Sequence, residues 1–509
     1  MEYAIAVIDI GMTNKKVAVY DDRLRQLAAE YRSFPPRLVA GPGGGELETH
    51  DLEAMEAWFT ARLAAFAPQY PIKALAVTTH GASFVCLDRD GKPAVPCVYY
   101  THEPGGDFHE RFYRQFGPAE QLQDLTGTPQ FSAMINTAKG IFFAREAFPE
   151  GFARTVHLLM YPQYWGFRFT GKAGAEGTYM GCHTYLWDQR GKRLSPVAEG
   201  LGVAPLMPKT LNASWDVLGT ISEDFARRTG LAKDAILTLG IHDSNSSLLP
   251  HFAKKGSTGF VLNSTGTWCV LMHPVEAYGF APQELGKVVF FNISALGTPV
   301  KTAIFLGGQE FDTWLKLLMA RHGRDDYPPY EPELYRTILR EQRAFLLPEL
   351  TAGSGQFPGS KPRVHEEGRD YAYAAIAAGQ ETPPCFGNYE RGVAILRISL
   401  VMQTLTALER AGLEPGEEVF TEGGFRKNEA YNALLSAALP ERRVFITNIP
   451  EATALGAAMT AKMALSKKPG GALTELAEDF TIDYHEVAKA DIPELAGYRD
   501  TWLRFTEQH

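Results

Sequence analysis

An acidic residue followed by a glycine-containing turn stands near the start of the chain. Asp9 ends an apolar segment, and Gly11, Thr13, Asn14 and Lys15 follow it. A carboxylate at a strand end holds Mg²⁺ through water, because this ion keeps much of its hydration shell. The glycine lets the backbone approach a phosphate, to which the next three polar side chains offer donors. A hairpin turn whose glycine serves only the backbone angle explains the same residues equally well.

Two later segments repeat this chemistry. The turn at residues 264–267 is rich in hydroxyl groups, and its Thr267 is able to face a phosphate. In the segment 422–428, Gly424 leaves room for a flat ring against the backbone, and Asn428 is able to hydrogen-bond that ring. A polar hairpin and a helix start with flexible glycines are the simpler explanations. The presence of two phosphate-type turns in one chain makes the polar-hairpin explanation weaker.

A third kind of chemistry is indicated by Asp243, which follows a strand and precedes a small polar run. A carboxylate in that position is able to accept the proton of a hydroxyl group. In phosphoryl transfer this proton acceptance is the main chemical step that a side chain performs, because positioning and charge stabilisation supply most of the rate. The alternative is an N-cap for a helix that begins near Ser244. Both roles are compatible, since a capped carboxylate stays ionised.

The elements that must position these residues alternate between strand and helix. The pattern predicts a buried strand at 4–9, a second strand at 16–20, a loop at 34–45, a helix at 51–67 opened by Asp51, and a strand at 74–78. This alternation favours an α/β architecture.

The second half of the chain returns to a strand, a turn and a strand from residue 256, which hints at two related halves. A long helix is predicted from Tyr389 to Arg410, a strand at 418–421, and a helix of small residues at 452–464. A Lys-Lys-Pro-Gly-Gly run at 467–471 indicates a break. We therefore predict three units: residues 1–248, residues 249–467 and a C-terminal helical tail at 468–509.

Length and composition narrow the class of protein. A chain of 509 residues is too long for one hydrophobic core, so two large domains are expected. The net charge of −9, from 50 basic and 59 acidic residues, argues against nucleic-acid binding. We find no secretory signal and no uncharged apolar run of about 20 residues, so we expect a cytoplasmic protein that is not a membrane protein. The cysteines are odd in number and lack CxxC spacing, which predicts buried thiols: Cys86, Cys97, Cys182, Cys269 and Cys385.

The order of the motifs is more specific than any one motif. Asp-x-Gly-x-Thr stands near the start, Gly-x-His-Asp in mid-chain and Ser-x-Gly-Thr about twenty residues later, before Glu-Gly-Gly-Phe and Glu-Ala-Thr-Ala-Leu-Gly-Ala-Ala. This order resembles the FGGY carbohydrate kinases over residues 4–465. The resemblance implies two ribonuclease H-like domains of the actin and Hsp70 type, with a nucleotide cleft between them. It also implies an enzyme that phosphorylates a small sugar with ATP and Mg²⁺, and it allows a homodimer.

The resemblance assigns residues to the metal and the nucleotide. Asp9 would orient the metal, and Asp243 would be the general base. The other residues would lie near the phosphates or the adenosine, and they are Thr13, Asn14, Lys15, Thr267, Gly308, Gly424 and Asn428.

The sugar site is implied by the Thr-His-Gly segment that contains His80 and Gly81, together with His242. The Gly-x-His-Asp form looks nearest to rhamnulose and fuculose kinases, which implies a ketose such as L-rhamnulose or L-fuculose. Where many relatives carry Trp-x-Asp, this chain has Tyr-Tyr-Thr-His-Glu at 99–103. Either Glu103 replaces that aspartate, or the pocket binds a different sugar.

Two other classes of protein share part of this pattern. An actin-like ATPase has the nucleotide turns but needs no base that faces a sugar. A sugar-binding regulator without catalysis needs neither Asp9 nor Asp243. Outside this resemblance, a lone histidine such as His80 or His183 is a hydrogen-bonded core residue more often than a ligand, and we expect no metal role for either.

Overall fold

The computed structural model describes residues 1–449, 451–466 and 473–507. The strands of the first half are β1 Ala4–Ile10, β2 Asn14–Asp21, β3 Gln26–Ser33, β4 Arg37–Ala40, β5 Glu46–Thr49, β6 Ile72–Thr79, β7 Phe84–Leu87, β8 His157–Met160, β9 Trp187–Asp188, β10 Arg193–Leu194, β11 Val217–Thr220, β12 Ile236–Thr238 and β13 Ile241–His242. Its helices are α1 Leu52–Phe66, α2 Phe108–Phe116, α3 Ala119–Thr126, α4 Thr137–Ala147, α5 Pro149–Ala153, α6 Tyr161–Thr170, α7 Gly177–Met180, α8 Pro196–Gly200, α9 Glu223–Thr229 and α10 Asp243–Lys255.

The second half follows the same alternation of strands and helices. Its strands are β14 Phe260–Thr265, β15 Cys269–Pro274, β16 Val289–Ile293, β17 Pro299–Phe305, β18 Ala344–Leu347, β19 Arg363–Glu366, β20 Arg369–Ala372, β21 Glu418–Gly423, β22 Arg443–Thr447 and β23 Tyr484–Glu486. Its helices are α11 Gly307–His322, α12 Pro332–Glu341, α13 Tyr373–Ala377, α14 Tyr389–Arg410, α15 Glu429–Ala438, α16 Ala452–Leu465 and α17 Glu494–Glu507.

The two main sheets are built alike. The first runs β11-β12-β6-β1-β2-β3, with β13 beside β6, and the second runs β16-β17-β15-β14-β21-β22-β23. In each sheet a central strand forms an antiparallel hairpin on one side and pairs in parallel on the other: β1 with β2 and β6, and β14 with β15 and β21. The expected α/β fold of two ribonuclease H-like, actin and Hsp70-type domains is confirmed, and the chain holds two related halves.

Each central strand is buried on both faces, as expected of strands covered by helices on either side. Alternate residues of β1 enter different cores. Ala4, Ala6 and Ile8 face α1 and α6, whereas Ile5 and Val7 pack in a core that includes α10 and α16. The same shared core takes Phe260 and Leu262 of β14, so α10 and α16 join the two sheets.

Helices α10 and α16 approach each other closely because of one glycine. A Cβ atom at Gly456 would overlap the backbone carbonyl of Ser246. The Ser246 hydroxyl donates to the carbonyl of Thr453 at 2.7 Å. The run of small residues that predicted the helix at 452–464 therefore also sets the spacing between the two halves.

Most local predictions are confirmed. Helix α1 is capped by Asp51, whose carboxylate accepts the amide of Ala54 at 3.0 Å. The helix predicted from Tyr389 to Arg410 has those bounds. The predicted loop at 34–45 was wrong in part, because Arg37–Ala40 pairs with Glu46–Thr49 as a short hairpin. The side chains of Arg37–Ala40 are mostly exposed and show no clear alternation of polar and apolar residues. The strand is therefore identified by its pairing and not by its sequence pattern.

Helix α14 is the only described helix with the length and hydropathy of a membrane span, and 94% of its apolar window is buried inside the fold. A helix that is apolar on all sides suits the centre of a large domain.

Residues 494–507 form α17, which packs in the core of the second half. Trp502 is fully buried and donates from Nε1 to the carbonyl of Leu346 at 2.8 Å, and Tyr498 donates to Ala344 at 2.7 Å. The predicted break at 467–471 lies outside the described residues. The division at residues 248 and 467 stays a prediction.

Candidate active site

The first turn places Asp9 and Lys16 side by side. The two residues are paired across β1 and β2, so their side chains lie on the same face of the sheet. That face is the one that packs against α10 and α16. Lys16 forms an ion pair with Glu451 at 3.2 Å and donates to Gln26 at 3.0 Å. The second half thus contributes a carboxylate, Glu451, to the surroundings of the first turn.

Lys15, predicted near the phosphate, points to the opposite face because side chains alternate along a strand. Its ammonium donates to the carbonyl of Met12 at 2.8 Å, and the residue is 1% exposed. Burial lowers the pKa of Lys15 to about 8. Thr13 and Asn14 are exposed at the tip of the turn, where Asn14 accepts the hydroxyl of Ser33 at 2.7 Å. The predicted roles of these three residues stay predictions.

The carboxylate of Asp9 lies among other acidic groups. The pKa of Asp9 is raised to about 7, mainly by burial, which Lys16 opposes and the nearby carboxylates of Asp243 and Glu451 reinforce. One lysine faces three carboxylates, so the cluster lacks positive charge. Oxygen ligands with excess negative charge are the donor set that Mg²⁺ prefers. The residues present therefore fit a magnesium ion held by Asp9.

Asp243 is the first residue of α10, and His242 occupies the N-cap position without a capping side chain. The Asp243 carboxylate accepts the Ser244 amide at 2.6 Å and the Ser244 hydroxyl at 3.3 Å. Its side chain is 33% exposed, toward a pocket. Burial raises the pKa of Asp243, whereas the neighbouring His80 and the hydrogen bonds from Ser244 lower it. The predicted N-cap is wrong by one position, and the carboxylate keeps a free edge for a ligand.

A cavity of about 250 Å³ lies beside Asp243. The first half contributes a polar wall that contains His80, Gly81, His183 and His242, and the second half contributes Trp268, Val270, Phe290, Asn292 and Ile304. We call this cavity the Asp243 pocket. None of the described residues that line it is lysine or arginine. Its walls come from both halves, so the pocket lies in the cleft between them.

The histidines of the Asp243 pocket are neutral near pH 7. Burial lowers the pKa of His80 to about 4, of His183 to about 4 and of His242 to about 3. A neutral imidazole has one hydrogen-bond donor and one acceptor. The wall therefore offers paired donors and acceptors without charge, a surface suited to hydroxyl groups.

The second turn, at 264–267, packs tightly against two other segments. A Cβ atom at Gly308 would overlap the carbonyl of Gly266, and one at Gly423 would overlap the carbonyl of Thr265. Gly423 also has a φ of +78°, in the region that favours glycine. The hydroxyl of Thr265 donates to the carbonyl of Glu422 and accepts the amide of Phe425 at 2.9 Å. Three distant segments thereby form one continuous backbone surface.

Thr267 is exposed at the end of this surface, and its carbonyl accepts the amide of Gln309 at 3.2 Å. A cavity of about 430 Å³ in the second half has a lining that includes Gly424, Phe425 and Asn428, together with Phe311. The Asn428 side chain caps α15 by accepting the amide of Tyr431 at 3.2 Å. We call this cavity the second-half cavity. Gly308 thus lies against Thr267, and Gly424 and Asn428 line one cavity.

Glu103 lies apart from the Asp243 pocket, on a separate cavity of about 420 Å³. Its carboxylate accepts the amide of Ala133 at 2.9 Å and contacts His109 at 2.8 Å. The two cavities share Phe131 as a wall. The structure thus places Glu103 in a position that orders a loop, and its contact with a sugar stays a prediction.

Sequence reasoning missed four residues of the site. The proximity of Lys16 to Asp9 follows from the strand register, and that of Glu451 follows from the contact between the halves. Cys182 and His183 line the Asp243 pocket, and the cysteine is a buried thiol, as predicted. The available signal in the sequence was a cysteine directly followed by a histidine.

This chain has the fold of solved sugar kinases. It aligns with a carbohydrate kinase from Novosphingobium aromaticivorans with a TM-score of 0.79 and 24% identity, over 99% of this chain and 98% of that one. It aligns with a ligand-bound xylulose kinase from Lactobacillus acidophilus with a TM-score of 0.79 and 15% identity, over 99% and 97% of the two chains. At these identities the likeness shows the fold alone.

Comparison of the sequence with protein-family models identifies the class of protein. Residues 4–250 match the N-terminal domain of the FGGY family of carbohydrate kinases, and residues 257–469 match the C-terminal domain of carbohydrate kinase FGGY. A rhamnulokinase from Halalkalibacterium halodurans is 25% identical over 279 residues, which span 53% of this chain and 56% of the relative. The chain belongs to the FGGY family of carbohydrate kinases, as its motif order predicted.

Proposed function

We propose that this protein transfers the terminal phosphoryl group of ATP to a hydroxyl group of a small, uncharged sugar, with Asp243 as the general base. The observation that carries the proposal is the position of the Asp243 carboxylate. It lies in a cleft pocket lined by both halves, close enough to Asp9 to raise the pKa of that residue. A base and a metal-type carboxylate so close together suit phosphoryl transfer to a bound alcohol.

The nucleotide would lie on the second half, with its phosphates over the backbone surface formed by Thr267 and Gly308. The second-half cavity, next to Gly424 and Asn428, would take the adenosine. Mg²⁺, when bound, supplies charge neutralisation at the phosphate oxygens, and Asp9 would hold it. Lys16 is fixed by Glu451 on the same face and would add a positive charge there.

The sugar would lie in the Asp243 pocket, where the neutral imidazoles of His80 and His242 hydrogen-bond its hydroxyl groups. A sugar acid is disfavoured, because its carboxylate would meet Asp243 and no lysine or arginine among the described lining residues. The apolar side chains Val270, Phe290 and Ile304 suit a methyl group. L-Rhamnulose and L-fuculose both end in such a group, and similarity to a rhamnulokinase supports the same choice.

The reaction requires this chain to accept one proton from the sugar. Asp243 accepts the proton of the reacting hydroxyl as the oxygen attacks the terminal phosphorus of ATP, and ADP leaves. Closure of the halves around α10 and α16 would exclude water and suppress hydrolysis of ATP. A cytoplasmic location and a homodimer stay predictions.

The test is an ADP-release assay with L-rhamnulose, L-fuculose, xylulose, ribulose and gluconate. We expect stimulation by at least one ketose and none by gluconate. Asp243→Asn should reduce turnover about 10²–10⁴-fold while nucleotide binding is kept. The matched control is Asp224→Asn, in the first turn of α9 and away from the pocket.

Three results would oppose the proposal. ADP release that ignores every sugar would favour an actin-like ATPase. Sugar binding without ADP release would favour a regulator. Near-normal turnover in Asp243→Asn would remove the assigned base.

A further inference from the structure

Three side chains that bind soft metal ions meet in the wall of the Asp243 pocket. The Sγ atom of Cys182, one ring nitrogen of His183 and one of His242 all lie within 4.8 Å of one another. Cys182 Sγ is 3.5 Å from His242 Nε2. Zinc bonds of about 2.0–2.1 Å to nitrogen and about 2.3 Å to sulfur place neighbouring tetrahedral ligands about 3.3–3.6 Å apart. The sulfur and the imidazole of His242 already have this spacing.

The two imidazoles point their Nε2 atoms at the same place. A Cβ atom added to Gly81 would lie 2.6 Å from His183 Nε2 and 2.8 Å from His242 Nε2. The absence of a side chain at Gly81 therefore keeps this space open. His183 is partly exposed, and its ring nitrogen lies within 4.8 Å of the other two ligand atoms.

The other ring nitrogens are placed as they are in metal sites. His183 Nδ1 lies 3.0 Å from the carbonyl of Ile135, which fixes the proton there and leaves a lone pair on Nε2. His242 Nδ1 lies 3.4 Å from Asp243 Oδ1 and has no hydrogen bond within the part of the chain that the structure describes. A carboxylate behind a ligating imidazole is a common orienting partner.

The backbone is held in a rare conformation at this point. His183 has a φ of +40°, which is unusual for a residue other than glycine. The carbonyl of His183 accepts the amide of Thr137 at 3.3 Å, and that of Thr184 accepts Ala138 at 3.0 Å. The start of α4 therefore keeps His183 turned toward the pocket at some cost in conformational free energy.

We propose that Cys182, His183 and His242 bind one thiophilic divalent cation, such as Zn²⁺, with the fourth coordination position open to the Asp243 pocket. The thiol proton leaves to solvent, and the thiolate and two neutral imidazoles become ligands. One sulfur and two nitrogens select Zn²⁺ over Mg²⁺, so the site is distinct from the oxygen ligand at Asp9. The bound ion occupies space next to Gly81 and competes with the sugar, a consequence that rests on the proposed function.

The binding test uses the purified full chain and Co²⁺ as a spectroscopic substitute for zinc. We expect one equivalent of Co²⁺ to give the visible bands of a tetrahedral ion and a thiolate-to-cobalt absorption in the near ultraviolet. Cys182→Ser should abolish the thiolate band and weaken binding at least about 10-fold. Cys97→Ser is the matched control, because its buried thiol donates to the carbonyl of Phe84 at 3.4 Å and lies outside the three-residue cluster.

A second variant keeps the test decisive if Cys182→Ser fails to fold. His183→Gln keeps the thiol, so it should retain a thiolate band of altered energy with affinity lowered at least about 10-fold. A cobalt spectrum without the thiolate band, or equal affinity in the wild type and both variants, overturns the ion site.

The competition test measures ADP release at saturating ATP and Mg²⁺ with buffered free zinc. Zinc should raise the KM for the sugar and leave kcat unchanged, and a chelator should reverse the effect. The ratio of KM with and without zinc should fall toward one in Cys182→Ser. If no sugar stimulates ADP release, the proposed function fails while the cobalt spectrum still decides the ion site. Zinc that binds without changing the KM overturns the competition.

Discussion

The two glycine turns of this protein connect matching strands of the two sheets, but they differ in length by one residue and in charge. In the first turn Gly11 donates its amide to the carbonyl of Asn14 at 3.0 Å, and in the second Gly266 donates to Trp268 at 3.0 Å. Counting back from these glycines, Asp9 corresponds to Ser264. The first turn carries charged side chains, whereas the second is uncharged and packs closely against the backbone at Gly308 and Gly423. Duplication of a fold thus supplied one site for ionic chemistry and one for close approach of a ligand.

The cross-strand partners differ in the same way. Asp9 faces Lys16, and Ser264 faces Val270. Both pairs lie on the face that the two halves share. The difference in charge between the two pairs lies in these side chains, so mutation is able to test it.

The largest expected effect comes from making the first turn resemble the second. Asp9→Ser should reduce kcat about 10²–10³-fold, because it removes the carboxylate that fits Mg²⁺. Ser264→Ala should cost less than about 10-fold, since that position carries no charge for the reaction. The measurement is steady-state ADP release over a series of Mg²⁺ concentrations. Equal losses in the two variants would contradict the division of roles.

The next effect tests the close packing of the second turn. Gly423→Ala should lower the free energy of unfolding by about 1–3 kcal/mol and raise the KM for ATP, because the new methyl group overlaps Thr265 at a positive φ. Thermal unfolding and ATP titration measure both quantities. Gly424→Ala is the matched control, since its Cβ would lie 3.9 Å from the Thr265 carbonyl. Loss of stability in the control alone would refute the packing argument.

A smaller effect distinguishes the two lysines of the first turn. Lys16→Met should reduce kcat about 10-fold, because Lys16 lies on the face of Asp9 and Glu451. Lys15→Met should change kcat less, because the Lys15 ammonium lies on the opposite face. A larger loss of kcat in Lys15→Met would return the phosphate role to Lys15.

Lys15 also predicts a dependence of stability on pH. Its pKa falls from about 10.4 in an unfolded chain to about 8 here, so the unfolded state binds more protons between these values. The destabilisation by Lys15 is complete below pH 8 and fades as the pH rises toward 10. The stability difference between the wild type and Lys15→Met should therefore shift in favour of the wild type over that window, as measured by urea unfolding.

The smallest effect concerns Glu103. Glu103→Gln should change the KM for the sugar by less than about twofold, because its carboxylate orders the loop at Ala133 and lies outside the Asp243 pocket. His242→Gln, inside the pocket, serves as the comparison and should raise that KM more. A large rise in Glu103→Gln would show that the sugar reaches the second cavity.

The sequence by itself determined the family, the α/β fold and the identity of the chemical motifs. The order of the motifs is a property of the sequence itself. Strong local patterns, such as the apolar β1 and the capped α1, predict their elements without information about distant residues. Asp243 was already the leading candidate for the base on this ground.

Only the tertiary structure decided which side chains meet. Lys16 rather than Lys15 lies beside Asp9 because the strand register fixes the face of each side chain. Glu451 reaches Lys16 through the packing of α16 on the first sheet, and Trp502 enters the second core from the far end of the chain. Cys182 and His183 join His242 because the chain between them folds back on itself. These contacts join residues distant in sequence, and no local pattern encodes them.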